Sequence, residues 1–382
     1  MHQIYLRVRS PSTVNEDGNC FGWIGAGATS IDLMQKISIF AVSLMTRFRG
    51  SFDRRKPIVG SVSPSYSKSC TSGVKQESNR RVEQDLKKKD YSSMKFDSIA
   101  VTGGNGALGR QVMRNLSKFA QVTAIDIVPG PCDVKTRYAD ILSLESVREA
   151  LAGHDAVVHL AALLQPNDPE EKLFQVNVTG TWNVFRAASD LDIRKMILLS
   201  SECGSGIINI SRMPLAKPDY LPIDEAHPLR PRDTYGVSKQ ICESIGQSFA
   251  RQGAMHVIAL RPTLILMPGW DSYVREIREK DDEGLWSYVV DTDVVDAIRL
   301  ALELDGDGFD AFYLSARNTF APEETLVFME RKFATSFEVR FPELYREDPH
   351  AAIWDLSHSQ QVLGFDPKGD WRDFLGRRSA RG

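Results

Sequence analysis

The sequence predicts an α/β domain built on a doubly wound parallel sheet, with a small lobe at its C-terminal end. From about residue 94 onward, short apolar runs alternate with amphipathic helical patterns, and the first run leads directly into a glycine-rich loop. The runs lack the alternation of apolar and polar residues found in a half-exposed strand. Continuous apolar runs are typical of strands buried on both faces. Repeated strand–helix units of this kind form parallel sheets that are covered by helices on both sides.

The individual elements can be placed in chain order. Five apolar runs are predicted strands, at residues 98–102, 122–126, 156–160, 196–200 and 257–261. Between them apolar residues recur at helical spacing, as at Leu108, Val112 and Leu116, which predicts helices that pack on the sheet. After residue 262 we expect the alternation to end, and the small lobe is therefore assigned mainly to residues 263–382.

The first 93 residues differ in composition from the rest. They carry 15 Lys and Arg against 8 Asp and Glu, a net charge of +7, whereas the remainder carries −10. Residues 50–93 are rich in Ser, Lys and Arg and have no apolar periodicity. We therefore expect a disordered basic extension over residues 1–93 and a folded domain over 94–382. A basic, Ser-rich N-terminus also fits an organelle-targeting segment, and this alternative stays open.

Composition excludes several classes of protein. The overall net charge of −3 argues against non-specific nucleic-acid binding, which needs a strongly basic surface. No apolar stretch reaches the roughly 18 residues of a membrane span, so no membrane association is expected. The 5 cysteines are scattered, odd in number and without a CxxC pair. We therefore expect no zinc site and no disulfide framework, and a reducing compartment such as the cytoplasm.

The glycine-rich loop has the spacing of a dinucleotide-binding turn. Gly103 permits the tight turn out of the strand, Gly106 lets the backbone approach a pyrophosphate, and Gly109 lets the helix pack close to the sheet. The helix that follows offers free N–H groups and a positive dipole end to phosphates. The strand before and the helix after the loop are the context that this motif requires. The predicted cofactor-binding loop residues are Gly103, Asn105, Gly106, Ala107, Leu108 and Gly109.

An acidic residue at the end of the second strand predicts which dinucleotide is bound. Asp126 lies 17 residues after Gly109. A carboxylate there can accept hydrogen bonds from both ribose hydroxyls and would repel a 2′-phosphate. The two residues that follow, Ile127 and Val128, offer no cation to that phosphate. The sequence thus favours NAD over NADP as the cofactor.

Further motifs follow the loop in a fixed order. From residue 94 to the C-terminus the chain resembles the extended short-chain dehydrogenase/reductase family, in particular its NAD-dependent epimerase/dehydratase branch. The resemblance implies a Rossmann-type domain whose C-terminal lobe binds the substrate. The segments that carry it are Asp140-Ile141, His159-Leu160-Ala161-Ala162, Asn177-Val178-Thr179-Gly180, Ser200-Ser201, Tyr235-Gly236-Val237-Ser238-Lys239, Arg261-Pro262-Thr263 and Leu363-Gly364-Phe365-Asp366-Pro367.

The resemblance implies a role for each matched segment in holding the cofactor. Asp140 and Ile141 would contact the adenine, and the backbone at Pro262 would meet the nicotinamide amide. Asn177 would support the active site, whereas His159 is expected to be a satisfied core histidine rather than a catalytic group. The small residues of the segment after the fourth strand would pass beside the cofactor, namely Leu160, Ala161 and Ala162.

Ser201, Tyr235 and Lys239 are the predicted catalytic residues. Tyr235 and Lys239 are four residues apart and therefore share one face of a helix. An ammonium near a phenol favours the phenolate, so we expect the pKa of Tyr235 to fall. A positioned tyrosinate can take the proton of a substrate hydroxyl while hydride leaves the carbon for NAD. Ser201 would hold the substrate oxygen, and both Tyr235 and Lys239 would also contact the cofactor.

The substrate is expected to be a hydroxylated, sugar-like small molecule. Nucleotide-sugar epimerases often carry an arginine just before a stretch that matches Tyr288-Val289-Val290, and here Arg275 and Arg278 lie off that pattern. The compact lobe resembles that of uronate dehydrogenases. Three hypotheses stay open: a net dehydrogenase, an epimerase or dehydratase without net redox change, and a non-catalytic NAD-binding regulator. Relatives suggest a homodimer formed through helices near residues 172–190 and 235–251.

Overall fold

The computed structural model describes residues 95–131, 134–164, 168–210, 214–253, 255–279 and 284–376. The predicted disordered extension and the alternative targeting segment, residues 1–93, lie outside the described residues. The strands in chain order are β1 (Ser98–Thr102), β2 (Gln121–Asp126), β3 (Thr136–Tyr138), β4 (Ala156–His159), β5 (Lys195–Leu199), β6 (Tyr220–Leu221), β7 (His256–Pro262), β8 (Leu264–Leu266), β9 (Tyr288–Val290), β10 (Phe309–Leu314) and β11 (Glu338–Val339).

The helices complete the alternating pattern. In chain order they are α1 (Ala107–Leu116), α2 (Leu144–Leu151), α3 (Glu170–Phe174), α4 (Thr181–Asp190), α5 (Thr234–Arg251), α6 (Asp271–Glu279), α7 (Asp291–Glu303), α8 (Thr325–Phe333), α9 (Pro342–Glu347) and α10 (Arg372–Gly376). A π-helical segment, Gln175–Gly180, joins α3 and α4 without a break. A 3-10 turn follows β5 at Glu202–Ser205.

Seven strands form one parallel sheet in the order β10-β7-β5-β4-β1-β2-β3. The order reverses beside β1, because the chain adds β2 and β3 on one side of it and β4, β5, β7 and β10 on the other. Such a reversal opens a crevice outside the carboxyl ends of the strands, where ligands of this fold bind. The doubly wound α/β fold is therefore confirmed, and each of the five predicted strands agrees with an observed one to within one residue at either end.

Alternate residues of the buried strands face opposite helix layers. In β1, Ile99 and Val101 pack into a core that includes α1 and α7, whereas Ala100 packs with α2, α4 and α5. Both layers are fully buried at these positions, with 0% exposure. The two-residue period of a strand thus explains why the runs are apolar throughout.

The alternation does not end after residue 262, and that prediction is wrong for residues 291–314. Helix α7 packs against α1 and the sheet, and β10 forms the outermost parallel strand beside β7. The segment that covers the carboxyl edge is built instead from two parallel strand pairs, β6 with β11 and β8 with β9. Its apolar cluster includes Trp286, Tyr288, Phe320 and Trp354.

Within the described part of the chain, no helix has both the length and the apolar character needed to cross a membrane.

Candidate active site

The glycine loop is held in close contact with the chain that follows β4. Gly103 has φ +69°, the left-handed region that favours glycine, and a Cβ on it would come within 2.8 Å of the backbone nitrogen of Ala161. A Cβ on Gly109 would lie 2.2 Å from the carbonyl oxygen of Gly103. These two glycines are therefore required by the packing of the turn itself.

Gly106 leaves the outer side of the turn open. Its N–H donates to the carbonyl oxygen of Gly103 at 3.0 Å, and a Cβ on Gly106 would meet only that oxygen within 4 Å. Helix α1 begins directly afterwards at Ala107, and no side chain among the described residues caps it. The first N–H groups of a helix have no intrahelical partner. The turn thus forms an open cradle of the kind that fits a pyrophosphate, with Ala107 and Leu108 at the helix start.

Asp126 is fixed beside this cradle. One carboxylate oxygen accepts the Asn105 N–H at 3.1 Å, and the other accepts the Val128 N–H at 3.0 Å. The Asn105 side chain is buried and donates to the Val128 carbonyl at 2.7 Å. Asn105 therefore braces the turn against the end of β2, and the partly exposed carboxylate keeps lone pairs for ribose hydroxyls.

The predicted adenine-contacting pair lies farther along the same edge. Asp140 is exposed, and its carboxylate accepts the Leu142 N–H at 2.9 Å. Ile141 is buried against Gly180, where a Cβ would come within 2.4 Å of the Ile141 side chain. The buried Asn183 amide donates to the Ile141 carbonyl at 2.8 Å. The pair is thus anchored to the continuous helix that runs from residue 170 to 190.

Asn177 ties the chain after β4 to the helix of the YxxxK motif. Its amide accepts the Leu163 N–H at 2.8 Å and donates to the Leu163 carbonyl at 3.1 Å and to the Ser238 hydroxyl at 3.0 Å. Ser238 in turn donates to the carbonyl oxygen of Tyr235 at 2.7 Å. Asn177 lies in the π-helical segment, and such segments frequently occur at functional sites. The half-buried residues Leu160, Ala161 and Ala162 lead into this brace.

His159 is a satisfied core histidine, as expected. One ring nitrogen lies 2.6 Å from the Thr102 hydroxyl and the other 2.9 Å from the Thr181 hydroxyl. Burial, reinforced by the charge of Lys239, lowers the pKa of His159 to about 3. The imidazole is therefore neutral at pH 7 and links β1, β4 and α4.

Ser201 and Tyr235 meet at the carboxyl edge of the sheet. Ser201 follows β5, and its hydroxyl accepts the Cys203 N–H at 3.2 Å, which caps the 3-10 turn. Tyr235 lies in the first turn of α5, which begins after Asp233, whose carboxylate accepts the Gly236 N–H at 2.6 Å. The Ser201 hydroxyl lies near the Tyr235 phenol, where it favours the ionised form of Tyr235. Two neighbouring hydroxyls can both address one substrate oxygen.

The expected fall in the pKa of Tyr235 is not observed. Burial raises it, because Tyr235 is only 6% exposed and a desolvated phenolate is costly. The neighbouring Cys203 thiol adds to the rise, and the nearby Ser201 hydroxyl opposes it. The Lys239 ammonium lies 5.6 Å from the centre of the ring, too far to outweigh this burial. Loss of solvent around Tyr235 thus outweighs the nearby charge of Lys239.

Lys239 is buried beside the end of β5. Its ammonium donates to the Leu199 carbonyl at 2.8 Å, and burial lowers its pKa. Burial also raises the pKa of the Cys203 thiol, which fits a pocket-lining residue and not a nucleophile. Pro262 ends β7 at the same edge, opposite Leu314 of β10. The three predicted catalytic residues and the predicted nicotinamide contact thus share one edge of the sheet.

Of four other arginines, one lies at the opposite edge of the sheet, two have partners of their own, and one is outside the described residues. Arg194 precedes β5 and so lies at the opposite edge, Arg230 pairs with Asp219 at 2.9 Å, and Arg232 donates to the Pro214 carbonyl at 3.2 Å. Arg212 lies outside the described residues. Within the described ranges no group of three or more His, Cys, Asp or Glu residues could hold a metal ion.

Sequence reasoning missed one buried pair beside the site. Glu243 of α5 accepts two hydrogen bonds from Arg261 of β7, at 2.9 and 2.7 Å. The sequence does contain one signal of this pair. Glu243 is a charged residue four positions after Lys239, on the same helical face, where apolar residues are expected.

The chain matches a known protein family over the region that contains this site. The model of the NAD dependent epimerase/dehydratase family matches residues 99–312, which is more than half of the chain. The chain belongs to this family. The match spans the glycine turn, Asp126, Ser201, Tyr235, Lys239 and Pro262. NAD is therefore its cofactor, and the resemblance drawn from the motifs is confirmed.

Relatives within the NAD-dependent epimerase/dehydratase family include both dehydrogenases and epimerases. The chain is 33% identical over 190 residues to L-arabinose 1-dehydrogenase (NAD(P)(+)) of Haloferax volcanii, covering 48% of this chain and 71% of that protein. It is 25% identical over 315 residues to UDP-glucose 4-epimerase of Lactobacillus helveticus, covering 71% of this chain and 92% of that protein. The protein is thus an NAD-dependent dehydrogenase or epimerase.

Solved structures share the fold. Uronate dehydrogenase from Agrobacterium tumefaciens superimposes with a TM-score of 0.52 at 21% identity, covering 73% of this chain and 86% of that one. MoeE5 in complex with UDP-glucuronic acid and NAD superimposes with a TM-score of 0.56 at 23% identity, covering 73% and 96%. At these identities the likeness supports the Rossmann-type architecture and carries no assignment of substrate.

Proposed function

We propose that the protein is an NAD-dependent dehydrogenase that oxidises a hydroxyl carbon of a free sugar or sugar acid. The observation that carries this proposal is the grouping of Ser201, after β5, with Tyr235 and Lys239 of α5 at the carboxyl edge of the sheet, where Lys239 donates to the last residue of β5. Bound NAD would supply the hydride acceptor. The sequence relative with the highest identity reported above is itself an arabinose dehydrogenase.

The roles of the three residues follow from their surroundings. The Ser201 hydroxyl donates to the substrate oxygen and fixes it beside Tyr235. Once ionised, the Tyr235 oxygen would take the hydroxyl proton while the carbon gives up its hydride. Lys239 places a cation behind the phenol, which lowers the cost of forming a buried phenolate. The walls around them are apolar and include Leu173, Cys203, Ile207 and Ile208, which limits the access of water.

The segment over the site supports a free sugar in preference to a nucleotide sugar. A diphosphate needs arginines that point at it, as bidentate partners. Arg275 instead donates to the Leu375 carbonyl at 3.1 Å, and the Arg278 guanidinium lies 4.6 Å from the centre of the Trp371 ring. Arg275 is thereby engaged with α10, and Arg278 with the residue that precedes it.

A nucleotide-sugar epimerase is the second candidate. It is favoured by the relative whose similarity extends over 92% of its own length, a UDP-glucose 4-epimerase. Such an enzyme would use the same Ser201, Tyr235 and Lys239 for the first oxidation and would return the hydride to the substrate. Net formation of NADH separates the two candidates.

The test is a spectrophotometric assay of the full chain with NAD. The panel contains L-arabinose, D-glucose, D-glucuronate, D-galacturonate, UDP-glucose and UDP-glucuronate, and sugar products are analysed in the same reactions. A steady rise of NADH with a free sugar or uronate is the expected result. Conversion of a UDP-sugar without NADH would replace this proposal by the epimerase.

Tyr235→Phe distinguishes an enzyme from a non-catalytic NAD-binding protein. The variant keeps the ring and loses only the hydroxyl, so NADH binding should persist while turnover falls by at least about 100-fold. The matched control is Tyr345→Phe, because Tyr345 is also buried and donates to the Ala352 carbonyl in the lobe at 3.2 Å. Turnover that survives Tyr235→Phe would remove Tyr235 from the mechanism.

We also propose a homodimer that forms through the helix over residues 170–190 together with α5. Two large apolar side chains on the first of these helices support it, since Phe174 is 39% exposed and Trp182 44% exposed. Exposed aromatic residues on one helix are common at the centres of interfaces.

A further inference from the structure

A buried ion pair lies one helical turn beyond Lys239. The Nε and one terminal nitrogen of Arg261 donate to the two carboxylate oxygens of Glu243 at 2.9 and 2.7 Å. The side chains are 5% and 2% exposed, so both charges are removed from water. The parallel, two-point geometry is the strongest arrangement for this pair of groups.

The same carboxylate has a third partner next to the active site. The Ser200 hydroxyl donates to one oxygen of Glu243 at 2.5 Å. Ser200 directly precedes Ser201, the residue proposed to hold the substrate oxygen. Glu243 is therefore bonded both to the end of β5 and, through Arg261, to the end of β7.

Lys239 is also bonded to the end of β5. Its ammonium donates to the carbonyl oxygen of Leu199, the last residue of β5. Lys239 and Glu243 are four residues apart on α5, where side chains are neighbours about 5–6 Å apart at Cβ. Two adjacent turns of α5 thus hold Leu199, the last residue of β5, and Ser200, the residue after it.

The other titratable groups that face Lys239 do not supply a counter-charge. His159, from the end of β4, is neutral because burial lowers its pKa to about 3. Cys203, after β5, and Cys242, on α5, are neutral because burial raises the pKa of each thiol. Burial lowers the pKa of Lys239, and Cys242, Cys203 and Glu243 each oppose that effect. Of these three groups, Glu243 is the one that carries a carboxylate.

Stability alone does not explain such a pair. Replacement of a buried ion pair by apolar residues of similar size is often neutral or stabilising. The position of this pair, one helical turn beyond Lys239 and bonded to Ser200, suggests a role in the active site.

We propose that Glu243 is a positioning residue of the active site, whose carboxylate, clamped by Arg261 and Ser200, keeps the Lys239 ammonium charged and holds it against the end of β5. The inference rests on the function proposed above, because it assigns Glu243 a role through Lys239. Arg261 fixes the carboxylate, and Ser200 connects it to the residue before Ser201.

The first test is the pH dependence of kcat in the full-length enzyme. Loss of the Glu243 charge in Glu243→Gln should shift the alkaline limb, where Lys239 loses its proton, to lower pH by about one to two pH units. Ser200→Ala keeps the charge, so its alkaline limb should coincide with that of the wild type. Glu243→Asp retains a carboxylate, so its alkaline limb should be displaced by no more than half as much as that of Glu243→Gln.

A matched control lies at the other end of β5. Lys195 is also buried, and its ammonium donates to the Leu304 carbonyl at 2.6 Å and lies 3.0 Å from a ring nitrogen of His256. Lys195→Met removes a buried charge from the same strand far from the site. It should lower the melting temperature and leave the alkaline limb of kcat in place. If the alkaline limb moves as far in Lys195→Met as in Glu243→Gln, general destabilisation explains both shifts. That result would overturn the proposal.

NMR spectroscopy can measure the titration of Lys239 in the absence of turnover. In protein labelled with 13C at lysine Cε, the signal that disappears in Lys239→Met belongs to Lys239. Its titration midpoint should be lower in Glu243→Gln than in the wild type. If Glu243→Gln does not fold, the double variant Glu243→Gln, Arg261→Met serves, since it leaves no unpaired guanidinium. An unchanged midpoint in the folded variant would overturn the inference.

These outcomes separate the two proposals. If Tyr235→Phe retains turnover, the proposed function fails whatever Glu243 does. If Tyr235→Phe is inactive but the titration of Lys239 ignores Glu243, only the role of Glu243 fails.

Discussion

The Lys239 ammonium lies 5.6 Å from the centre of the Tyr235 ring and donates its hydrogen bond to a backbone carbonyl rather than to the phenol. It therefore acts on Tyr235 through its charge and not through direct contact. Replacement of Lys239 by Met keeps most of the volume and removes the charge. We expect kcat to fall by about 100-fold or more, because the buried Tyr235 then carries the full cost of ionisation.

The measurement for Lys239→Met is kcat from pH 6 to 10, together with NADH binding by fluorescence. If the charge is the cause, kcat of the variant should rise steadily with pH, because the small ionised fraction of Tyr235 grows as the pH approaches its raised pKa. A uniform loss of kcat at every pH would instead assign Lys239 to cofactor placement.

Two buried asparagines on one continuous helix should have separable effects. Asn177 braces the Leu163 backbone and Ser238, whereas Asn183 holds the Ile141 carbonyl. Each replacement by Ala should cost about 1–3 kcal/mol of unfolding free energy, since buried partners are left unsatisfied. Asn177→Ala should mainly lower kcat, by about tenfold or more, because a misplaced Tyr235 reacts slowly. Asn183→Ala should mainly raise KM for NAD. Identical effects of the two changes on kcat and KM would contradict this division.

The buried His159 predicts a loss of stability in acid. An unfolded histidine has a pKa of about 6.5, whereas that of folded His159 is about 3. Between these values the unfolded chain binds a proton that the folded protein does not. The free energy of unfolding therefore falls as the pH is lowered from about 6.5, by up to about 1.4 kcal/mol per pH unit from this residue. Urea unfolding at pH 7, 6 and 5 should show a shallower pH slope for His159→Gln than for the wild type; parallel slopes would disprove the assignment.

The exposed Trp182 offers a test of the proposed dimer. Trp182→Glu places a charge where the interface would desolvate it, and should shift the protein towards the monomer. Light scattering at several protein concentrations measures the change. Val327→Glu is the control, because Val327 is 51% exposed on α8 in a different part of the chain. A wild-type protein that is monomeric at all concentrations would end the proposal.

Local patterns were sufficient to predict most of the sheet and the cofactor edge. The strands of the main sheet are short apolar runs, and runs of this type signal burial on both faces whatever their partners are. The glycine turn was predictable because Gly103 and Gly109 occupy places where a Cβ would collide with backbone. The strands and the glycine turn depend on contacts with residues nearby in the sequence, or on contacts that every sheet of this fold makes.

The features that were missed depend on distant partners. The ion pair joins Glu243 and Arg261 across 18 residues and two elements, and its strength comes from burial that no local pattern reveals. The pKa of Tyr235 was misjudged for the same reason. Strand β10 was not predicted because the chain leaves the main sheet after β7. It packs against that sheet again only with α7 and β10.

The order of the sheet has a consequence for the newly made chain. From β1 outward on one side, β4, β5, β7 and β10 stand in the order in which a ribosome produces them. Each of these strands therefore meets a finished edge as it emerges and does not wait for a later segment. Glu243, however, is synthesised 18 residues before Arg261, so a nascent chain that ends between them carries a carboxylate destined for burial without its cationic partner. The active-site helix can dock fully only after β7 has been made.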